Sequence, residues 1–424
     1  MKEHNRTVTR AWVLHPDIYG VDKRRDASLA LSEAVSLAEA LPALEVRGSG
    51  MVRLTKAHPG MLFGSGKIEE LKMLFVTNGV ELVLIDGPVS PVQQRNLEKA
   101  WKVKLLDRTG LILEIFSDRA RTREGVLQVE MAALSYQRSR LVRAWTHLER
   151  QRGGLGFVGG PGETQIEADR RAIDEQLVRL RRQLTKVVKT RELHRNARAK
   201  VPFPIVALVG YTNAGKSTLF NRVTGADVMA KDMLFATLDP TMRAVELPSG
   251  PEVIMSDTVG FISDLPTELV AAFRATLEEV LAADLILHIR DIAHPETEHQ
   301  AEDVQGILES LGVDEETPKV EVWNKIDLLE ETECAAMELR AGREKVIFPV
   351  SAVTGQGLNR LFEAIAPQLE VDKSRERLTL DFTQGKQRAW LFEKGVVEAE
   401  NQTESGFEIY VYWTKREARR FSSL

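Results

Sequence analysis

A phosphate-binding motif constrains the fold of this chain more than any other feature of its 424 residues. Residues 210–218 read GYTNAGKST, which matches the pattern G-x-x-x-x-G-K-[ST]. The motif directly follows an apolar run at 205–209 and opens a helical pattern through Leu219, Phe220 and Val223. In this strand–loop–helix context, glycines let backbone N–H groups wrap a phosphate. We therefore predict a P-loop nucleotide-binding domain of the α/β class.

Three further motifs follow in the order that a guanine-nucleotide site requires, each directly after a predicted strand. DTVG occupies residues 257–260, NKID residues 324–327 and SAV residues 351–353. The Asp327 carboxylate can accept hydrogen bonds from guanine N1–H and the exocyclic amine, whereas adenine would leave it unpaired. The Ala352 N–H is expected to meet guanine O6. Together the four motifs predict a GTPase that converts GTP and water to GDP and phosphate.

Water attack on the γ-phosphate gives individual residues their expected roles. Lys216 should reach the β and γ phosphates, and the Ser217 hydroxyl and Asp257 should hold Mg²⁺, while the Gly260 N–H touches the γ-phosphate. The predicted catalytic residues are Lys216, Thr237 and Gly260, and the predicted magnesium ligands are Ser217, Thr237 and Asp257. The predicted nucleotide-binding residues are Gly210, Tyr211, Thr212, Asn213, Ala214, Gly215, Lys216, Ser217, Thr218, Phe235, Ala236, Thr237, Leu238, Asp257, Thr258, Val259, Gly260, Asn324, Lys325, Ile326, Asp327, Ser351, Ala352 and Val353.

Three positions bear on regulation of the reaction. Thr237 lies in the loop 234–241, where a GTP-sensing segment belongs; Thr241 competes with it, and an ordinary loop is the alternative. Phe261 stands where Ras-type enzymes use a glutamine to orient water, so we expect slow intrinsic turnover that a partner stimulates. The Asn213 carbonyl oxygen could help bind K⁺, and a role in stabilising the loop is equally open.

The charge of the chain is divided between two neighbouring segments. The whole chain carries a net charge of −5, but 118–200 has 19 basic and 10 acidic side chains, whereas 201–370 has 12 and 29. These segments therefore carry +9 and −17, a division that suggests one of them meets a polyanion. The single cysteine, Cys334, cannot form an internal disulfide, and no apolar run approaches the ~18 residues that span a bilayer. We expect a cytoplasmic protein with no membrane contact.

Local patterns divide the chain into four predicted segments. Residues 1–117 form an α/β subdomain with strands at 9–14, 80–86 and 102–106 and helices at 27–41, 67–78 and 91–101. Residues 118–200 form a basic helical hairpin from helices at 126–151 and 163–198, joined by a glycine-rich tip at 153–162. Residues 201–370 form the G domain. Residues 371–424 form a small α+β domain with the order strand, helix, strand, strand, helix.

The hairpin is the predicted contact with nucleic acid. A turn between helices needs only two to five residues, so ten residues with six glycines indicate close backbone contact with a partner. Candidate phosphate contacts are Arg119, Arg121, Arg123, Arg138, Arg140, Arg143, Arg150 and Arg152. A merely solvated charged face is the alternative for these arginines.

These residues give the chain a resemblance to the HflX family, in the Obg–HflX group of translation-factor-class P-loop GTPases. The resemblance extends over about 80–370 and includes 234–241, DTVGFISDLP at 257–266, DRTGLIL at 107–113, ARTREG at 120–125 and THLER at 146–150. The chain departs from the family at the tip, where FVGG at 157–160 adds one residue and removes an arginine. Phe157 could stack on a base there instead.

The resemblance implies binding to the large ribosomal subunit and GTP-linked splitting of intact or stalled ribosomes. We separately expect a monomer. It also implies that the hairpin tip reaches ribosomal RNA. Two other functions stay open. One is a K⁺-dependent GTPase in ribosome assembly or tRNA modification, and the other is a GTP-gated module that silences the large subunit.

Two other glycine-rich segments imitate nucleotide motifs. Residues 154–159 read G-x-G-x-x-G, but helical patterns on both sides argue against a dinucleotide site. Residues 60–67 resemble a phosphate loop with one residue too many, and Ile68 offers no hydroxyl to a metal. We interpret 60–67 as a turn before a helix, with a second nucleotide site as the alternative.

Overall fold

The computed structural model describes residues 8–20, 25–151, 161–198, 203–226, 234–235, 237, 241–248, 250, 252–265, 278–314, 316–344, 346–370 and 373–422. The chain divides into two compact units. The first contains 1–187 together with 231–239 and 262–275, and the second contains 188–230, 240–261 and 276–424.

The first unit contains a parallel sheet of four strands. Strands β1 (Thr9–Ile18), β2 (Leu44–Leu54), β3 (Leu82–Ile85) and β4 (Lys104–Asp107) lie in the order β2-β1-β3-β4. Helices α1 (Ala27–Glu39), α2 (Ser65–Thr77), α3 (Pro91–Trp101) and α4 (Arg108–Arg119) connect or follow them. This alternation confirms the predicted α/β layer.

Local sequence signals explain where most of these elements begin. The Asp26 carboxylate caps α1, and Ser90 with Gln93 forms a capping box at α3. The sequence prediction missed β2, because its glycines and charged residues interrupt the apolar pattern. Gly48 of β2 lies against the Trp12 ring, where a Cβ atom would come within 2.5 Å. Strand β2 therefore forms because it packs against a neighbouring strand, and not because its residues have high β-propensity.

The hairpin helices are α5 (Arg123–Gln151) and α6 (Pro161–Arg198). Both were predicted, and each begins two or three residues earlier than expected. Arg138 of α5 forms an ion pair of 2.6 Å with Asp174 of α6. The connecting tip, 152–160, lies outside the described residues, and so do the G-x-G-x-x-G pattern and Phe157. Among the helices that the structure describes, none combines the length and apolar character needed to cross a membrane.

The second unit contains a sheet of six strands that carries the predicted nucleotide motifs. Its strands are β5 (Ile205–Gly210), β6 (Thr241–Glu246), β7 (Glu252–Asp257), β8 (Leu285–Asp291), β9 (Lys319–Asn324) and β10 (Ile347–Pro349). They lie in the order β10-β9-β8-β5-β7-β6, and β6 alone of these six runs antiparallel to its neighbour. Helices α7 (Lys216–Thr224), α8 (Glu278–Ala282), α9 (Thr297–Leu311), α10 (Glu331–Ala341) and α11 (Leu358–Glu370) accompany them. Parallel strands place the segments that follow β5, β7, β9 and β10 at one edge of the sheet.

The chain continues into an antiparallel sheet of three strands. Strands β11 (Lys373–Asp381), β12 (Val397–Thr403) and β13 (Gly406–Thr414) lie in the order β11-β13-β12, with helices α12 (Gly385–Lys394) and α13 (Lys415–Ser422). Ile409, Val411 and Trp413 alternate into its core. This arrangement confirms the predicted order of elements, and β12 and β13 are joined by a hairpin turn at 403–406.

Candidate functional site

The loop between β5 and α7 has a backbone that requires glycine at two positions. Gly210 and Gly215 have φ angles of 155° and 94°. A Cβ atom on Gly210 would lie 2.2 Å from the Ile289 carbonyl oxygen, and one on Gly215 would lie 2.1 Å from Asn324 Nδ2. Asn213 is exposed and also has a positive φ, of 60°. The motif glycines thus allow the loop to approach its neighbours closely.

Lys216 is the buried cation of this loop. Its ammonium group donates hydrogen bonds to the carbonyl oxygens of Gly210 and Tyr211, at 3.1 and 2.7 Å. Burial lowers the pKa of Lys216 to about 8, while the charge of Asp257 opposes the shift. Because burial penalises the charged form, an anion bound beside this ammonium would be strongly favoured. Lys216 therefore has the environment expected of a phosphate-binding lysine.

The predicted metal ligands of the second unit lie together. Ser217 Oγ donates to Asp257 Oδ2 over 2.7 Å, which brings a hydroxyl and a carboxylate of two motifs side by side. Thr258 donates to the Leu208 carbonyl at 2.6 Å, so the strand end that carries Asp257 is fixed to β5. Adjacent hard oxygen donors suit Mg²⁺, which prefers carboxylate, hydroxyl and phosphate oxygens. The residues at this position fit the ion.

The segment after Asp257 pairs with the phosphate loop through its backbone. Thr212 N–H donates to the Phe261 carbonyl at 2.7 Å, and Phe261 N–H donates to the Gly210 carbonyl at 3.1 Å. A Cβ atom on Gly260 would lie 2.9 Å from Thr212 and 3.1 Å from Lys216 Nζ, so this glycine also permits close approach. The Phe261 side chain is buried. Phe261 therefore packs inward instead of facing water, which agrees with its lack of a hydrogen-bonding group.

Asn324 connects two motifs instead of standing open for a base. Its Nδ2 donates to the Ala214 carbonyl at 2.8 Å, and its Oδ1 accepts the Ala352 N–H at 2.9 Å. The Ala352 N–H, which we expected to meet guanine O6, is thus bonded to Asn324 in this structure. Its contact with guanine stays a prediction. The amide of Asn324 positions the phosphate loop and residues 351–353 relative to each other.

The other residues of the NKID and SAV motifs have distinct positions. Lys325, at a φ of 68°, forms an ion pair of 2.8 Å with Asp291, and Ile326 is buried below it. Asp327 is exposed, as a carboxylate that receives a base must be. Ser351 is fully buried, and its hydroxyl accepts the Thr354 N–H at 3.0 Å. These contacts fix the two loops and leave Asp327 accessible.

Sequence reasoning missed Arg222, which stabilises the predicted base-binding loop. From α7, its guanidinium donates to the carbonyl oxygens of Val353 and Thr354 at 2.6 and 2.8 Å. Gly355 in this turn has a φ of 92°, a conformation that favours glycine. The sequence indicated only that Arg222 follows Lys216 by six residues on the same helix. An arginine on a helix does not show which distant loop its guanidinium will contact.

Residues 234–239 of the predicted GTP-sensing loop belong to the first compact unit. Phe235 and Thr237 are both buried there, whereas Ala236 and Leu238 lie outside the described residues. Thr241 begins β6 in the second unit. The role of Thr237 as a magnesium ligand stays a prediction.

Three of the arginines proposed for RNA phosphates are bound to other parts of the protein. Arg119 donates to two backbone carbonyls, Arg138 pairs with Asp174, and Arg140 binds Asp107 at 2.9 Å and stacks over Tyr136. Contact of these three arginines with RNA phosphates stays a prediction, and their internal partners are ones that sequence alone does not show. The side chains of Arg143, Arg150 and Arg152 lie outside the described set.

Three family models match consecutive parts of the chain. A GTP-binding GTPase N-terminal region matches 28–117, a GTP-binding GTPase middle region matches 119–198, and a 50S ribosome-binding GTPase matches 205–325. The matched parts include strands β2, β3 and β4 of the first unit and both hairpin helices. They also include the GYTNAGKST and DTVG motifs and the first two residues of NKID.

Curated relatives extend the likeness over most of the chain. GTPase HflX of Magnetococcus marinus is 52% identical over 80% of this chain and 78% of its own length. GTPase HflX of Escherichia coli is 45% identical over 82% of this chain and 81% of its own length. A GTP-binding protein of Sulfolobus solfataricus, solved in complex with GDP, is 21% identical with a TM-score of 0.45, and the match covers 85% of this chain and 99% of that one.

Proposed function

Since the chain belongs to the HflX family of GTPases, we propose that it binds the large ribosomal subunit and uses its GTP cycle to dissociate intact or stalled ribosomes. The family makes it a ribosome-associated enzyme that binds guanine nucleotides, depends on Mg²⁺ and hydrolyses GTP. Dissociation, the large subunit as the binding partner, a monomeric state and a cytoplasmic location belong to the proposal.

The basic hairpin is the observation that carries this proposal. Its helices contain 29 and 38 residues within a segment of net charge +9, whereas the segment that contains the G domain carries −17. An acidic domain is repelled by RNA phosphates, so the hairpin should make the first contact with ribosomal RNA. An ion pair of Arg138 with Asp174 joins α5 to α6.

The proposed chemistry is attack of water on the γ-phosphate. Lys216 would stabilise the charge that develops there, and the Gly260 N–H would donate to a γ-phosphate oxygen. Ser217, Asp257 and Thr237 would hold Mg²⁺, which neutralises phosphate charge when bound. Asp327 would select guanine, and Asn324 would keep the phosphate loop and 351–353 in register. Exposed Asn213 is the candidate contact for K⁺.

A ribosome-splitting assay tests the proposal. Intact ribosomes are incubated with the protein and either GTP or a non-hydrolysable analogue, then separated on a sucrose gradient. We expect free subunits with the wild-type protein and at least a fivefold loss of splitting when 153–162 are replaced by a short Gly-Ser turn. An Arg95→Gln variant, altered at an exposed position of α3, serves as the matched control.

The same gradients separate the alternatives. Splitting that is unchanged in the tip variant would contradict the role of the hairpin. Occupied large subunits without faster splitting would indicate a silencing module. An assembly factor would be indicated by two results together. Cells that lack the protein would accumulate precursor particles, and the purified protein would not split ribosomes in vitro.

A further inference from the structure

Helix α4 contacts both segments that flank the predicted γ-phosphate contacts. At its first residue, Arg108 donates to the Ser263 carbonyl at 3.0 Å, and also to Glu33 at 2.6 Å and Asp86 at 2.7 Å. Arg108 is buried, and these two carboxylates raise its pKa despite the cost of burial. Ser263 lies three residues after Gly260. A buried, permanently charged side chain therefore holds the chain just beyond the DTVG motif.

The other end of α4 holds the predicted GTP-sensing loop. Arg119 donates to the Phe235 carbonyl at 2.9 Å and to the Ala40 carbonyl at 3.0 Å. One turn earlier, the Phe116 ring meets the Phe235 ring edge to face, with centroids 4.7 Å apart. Phe235 lies two residues before Thr237. One helix thus contacts both segments, although they are 28 residues apart in the chain.

Both segments have an uncommon backbone conformation beside the held carbonyl. Phe235 has a φ of 58°, and Asp264, which follows Ser263, has a φ of 56°. A side chain other than glycine rarely adopts this region unless surrounding contacts impose it. The guanidinium groups of Arg119 and Arg108 supply such contacts.

The residue that caps α4 connects this helix to the hairpin. Asp107 accepts the Gly110 N–H at 2.9 Å, the Tyr136 hydroxyl at 2.5 Å and Arg140 at 2.9 Å. Burial, together with the Asp107 carboxylate, raises the pKa of Tyr136, so its hydroxyl stays a donor. Tyr136 and Arg140 belong to α5. The cap of α4 and the middle of hairpin helix α5 therefore share one carboxylate.

We propose that α4 is a positioning element for GTP hydrolysis. Arg108 and Arg119 hold the segments at Ser263 and Phe235, which we call the two switch segments. Asp107 connects α4 to the hairpin helix α5. Arg108 and Arg119 touch no reacting atom in this scheme. They act by keeping Thr237 and Gly260, which lie within three residues of the held carbonyls, in a narrow range of positions. The link to the hairpin rests on the proposed ribosome contact, whereas the hold on the switch segments does not.

Two variants test the contacts of Arg108 and Arg119 in the absence of ribosomes. Arg119→Met keeps an apolar stem but removes both donors, and Arg108→Lys keeps the charge that Glu33 and Asp86 require. We expect hydrogen exchange at 234–237 in Arg119→Met, and at 262–265 in Arg108→Lys, to become at least tenfold faster. The kcat for GTP should fall at least fivefold with KM within twofold of wild type, because positioning affects the reacting geometry rather than uniform binding.

The controls separate positioning from general damage. Arg119→Lys should recover at least half of the lost kcat, and Arg95→Met, at an exposed site of α3, should change neither exchange nor kcat. A purely structural role would lower the melting temperature without this split between kcat and KM. Exchange within twofold of wild type, or a kcat equal to or above the wild-type value, would overturn the proposal.

A third variant tests the link to the hairpin. Tyr136→Phe removes one hydrogen bond to Asp107, and we expect intrinsic kcat within twofold of wild type but at least a threefold smaller stimulation by large ribosomal subunits. Undiminished stimulation in this variant would remove Asp107 from the proposal. If large subunits do not stimulate the wild-type enzyme, the proposed function fails. The exchange and kcat results for Arg108 and Arg119 still test whether these residues position the switch segments.

Discussion

Segments 210–217 and 60–67 both pass through glycines to a Gly-Lys pair beside a helix, and they fold differently. In 210–217, the loop leaves the central strand β5, and α7 begins at the lysine itself. Lys216 is then buried against the loop carbonyls, and Gly215 has a φ of 94°. The first N–H groups of α7 consequently face the space where a phosphate would bind.

In 60–67, the preceding chain, the first residue of the helix and the contacts of the lysine all differ from those in 210–217. The preceding residues form an isolated bridge between His58 and Leu62, and α2 begins at Ser65, ahead of the lysine. Lys67 pairs with Glu70 at 2.6 Å on a partly exposed face, and Ile68 is buried in the core of the sheet. These contacts support the interpretation of a turn before a helix. A phosphate loop thus depends on the strand that feeds it and on the residue at which the helix starts.

The largest difference between the two segments should appear when their lysines are replaced. Lys216→Met removes the buried charge beside the predicted phosphates, so GTP turnover should fall about 100-fold or more. Lys67→Met removes only an exposed pair with Glu70 and should leave turnover within twofold. Phosphate release under saturating GTP measures both. A comparable loss in the two variants would show that 60–67 takes part in nucleotide binding.

A smaller difference is expected at the glycines that precede the lysines. Gly215→Ala places a Cβ atom 2.1 Å from Asn324 Nδ2 and requires a strained φ, so GDP affinity should fall about tenfold, or ~1.4 kcal/mol. Gly66→Ala meets open space within α2 and should change stability by less than about 1 kcal/mol. Fluorescent-nucleotide titration and thermal unfolding report these two quantities. Equal GDP affinity in wild type and Gly215→Ala would contradict the close packing of the loop.

The pH dependence of GDP binding tests the protonation state of the buried Lys216. With a pKa of about 8 in the nucleotide-free protein, Lys216 is mostly charged at pH 7 and mostly neutral at pH 9. A bound phosphate favours the charged form, so GDP affinity should fall by roughly tenfold between pH 7 and pH 9. Lys67→Met should show the same pH dependence as wild type. A flat profile in both proteins would mean that Lys216 keeps its proton throughout this range.

The sequence predicted the fold class and most elements because the signals for them are local. Ser90 and Pro91 mark the start of α3, and Thr-Glu-Ser-Gly at 403–406 marks the turn between β12 and β13. By contrast, β2 carries no strong strand pattern and owes its place to pairing with β1 along its whole length. Helix α4 was also missed, since its start depends on a cap from Asp107 that local periodicity does not reveal.

By itself, the sequence determined the strand-end position of all four nucleotide motifs and the division of charge between hairpin and G domain. Both properties follow from residues that are close in the chain, or from parallel topology that brings successive strand ends to one edge. Only the tertiary structure decided what Asn324, Arg222 and Arg119 bind, and that Arg119 and Arg140 have acceptors within the protein. Their partners are dozens to more than a hundred residues distant, and a long polar side chain can reach many acceptors until folding selects one.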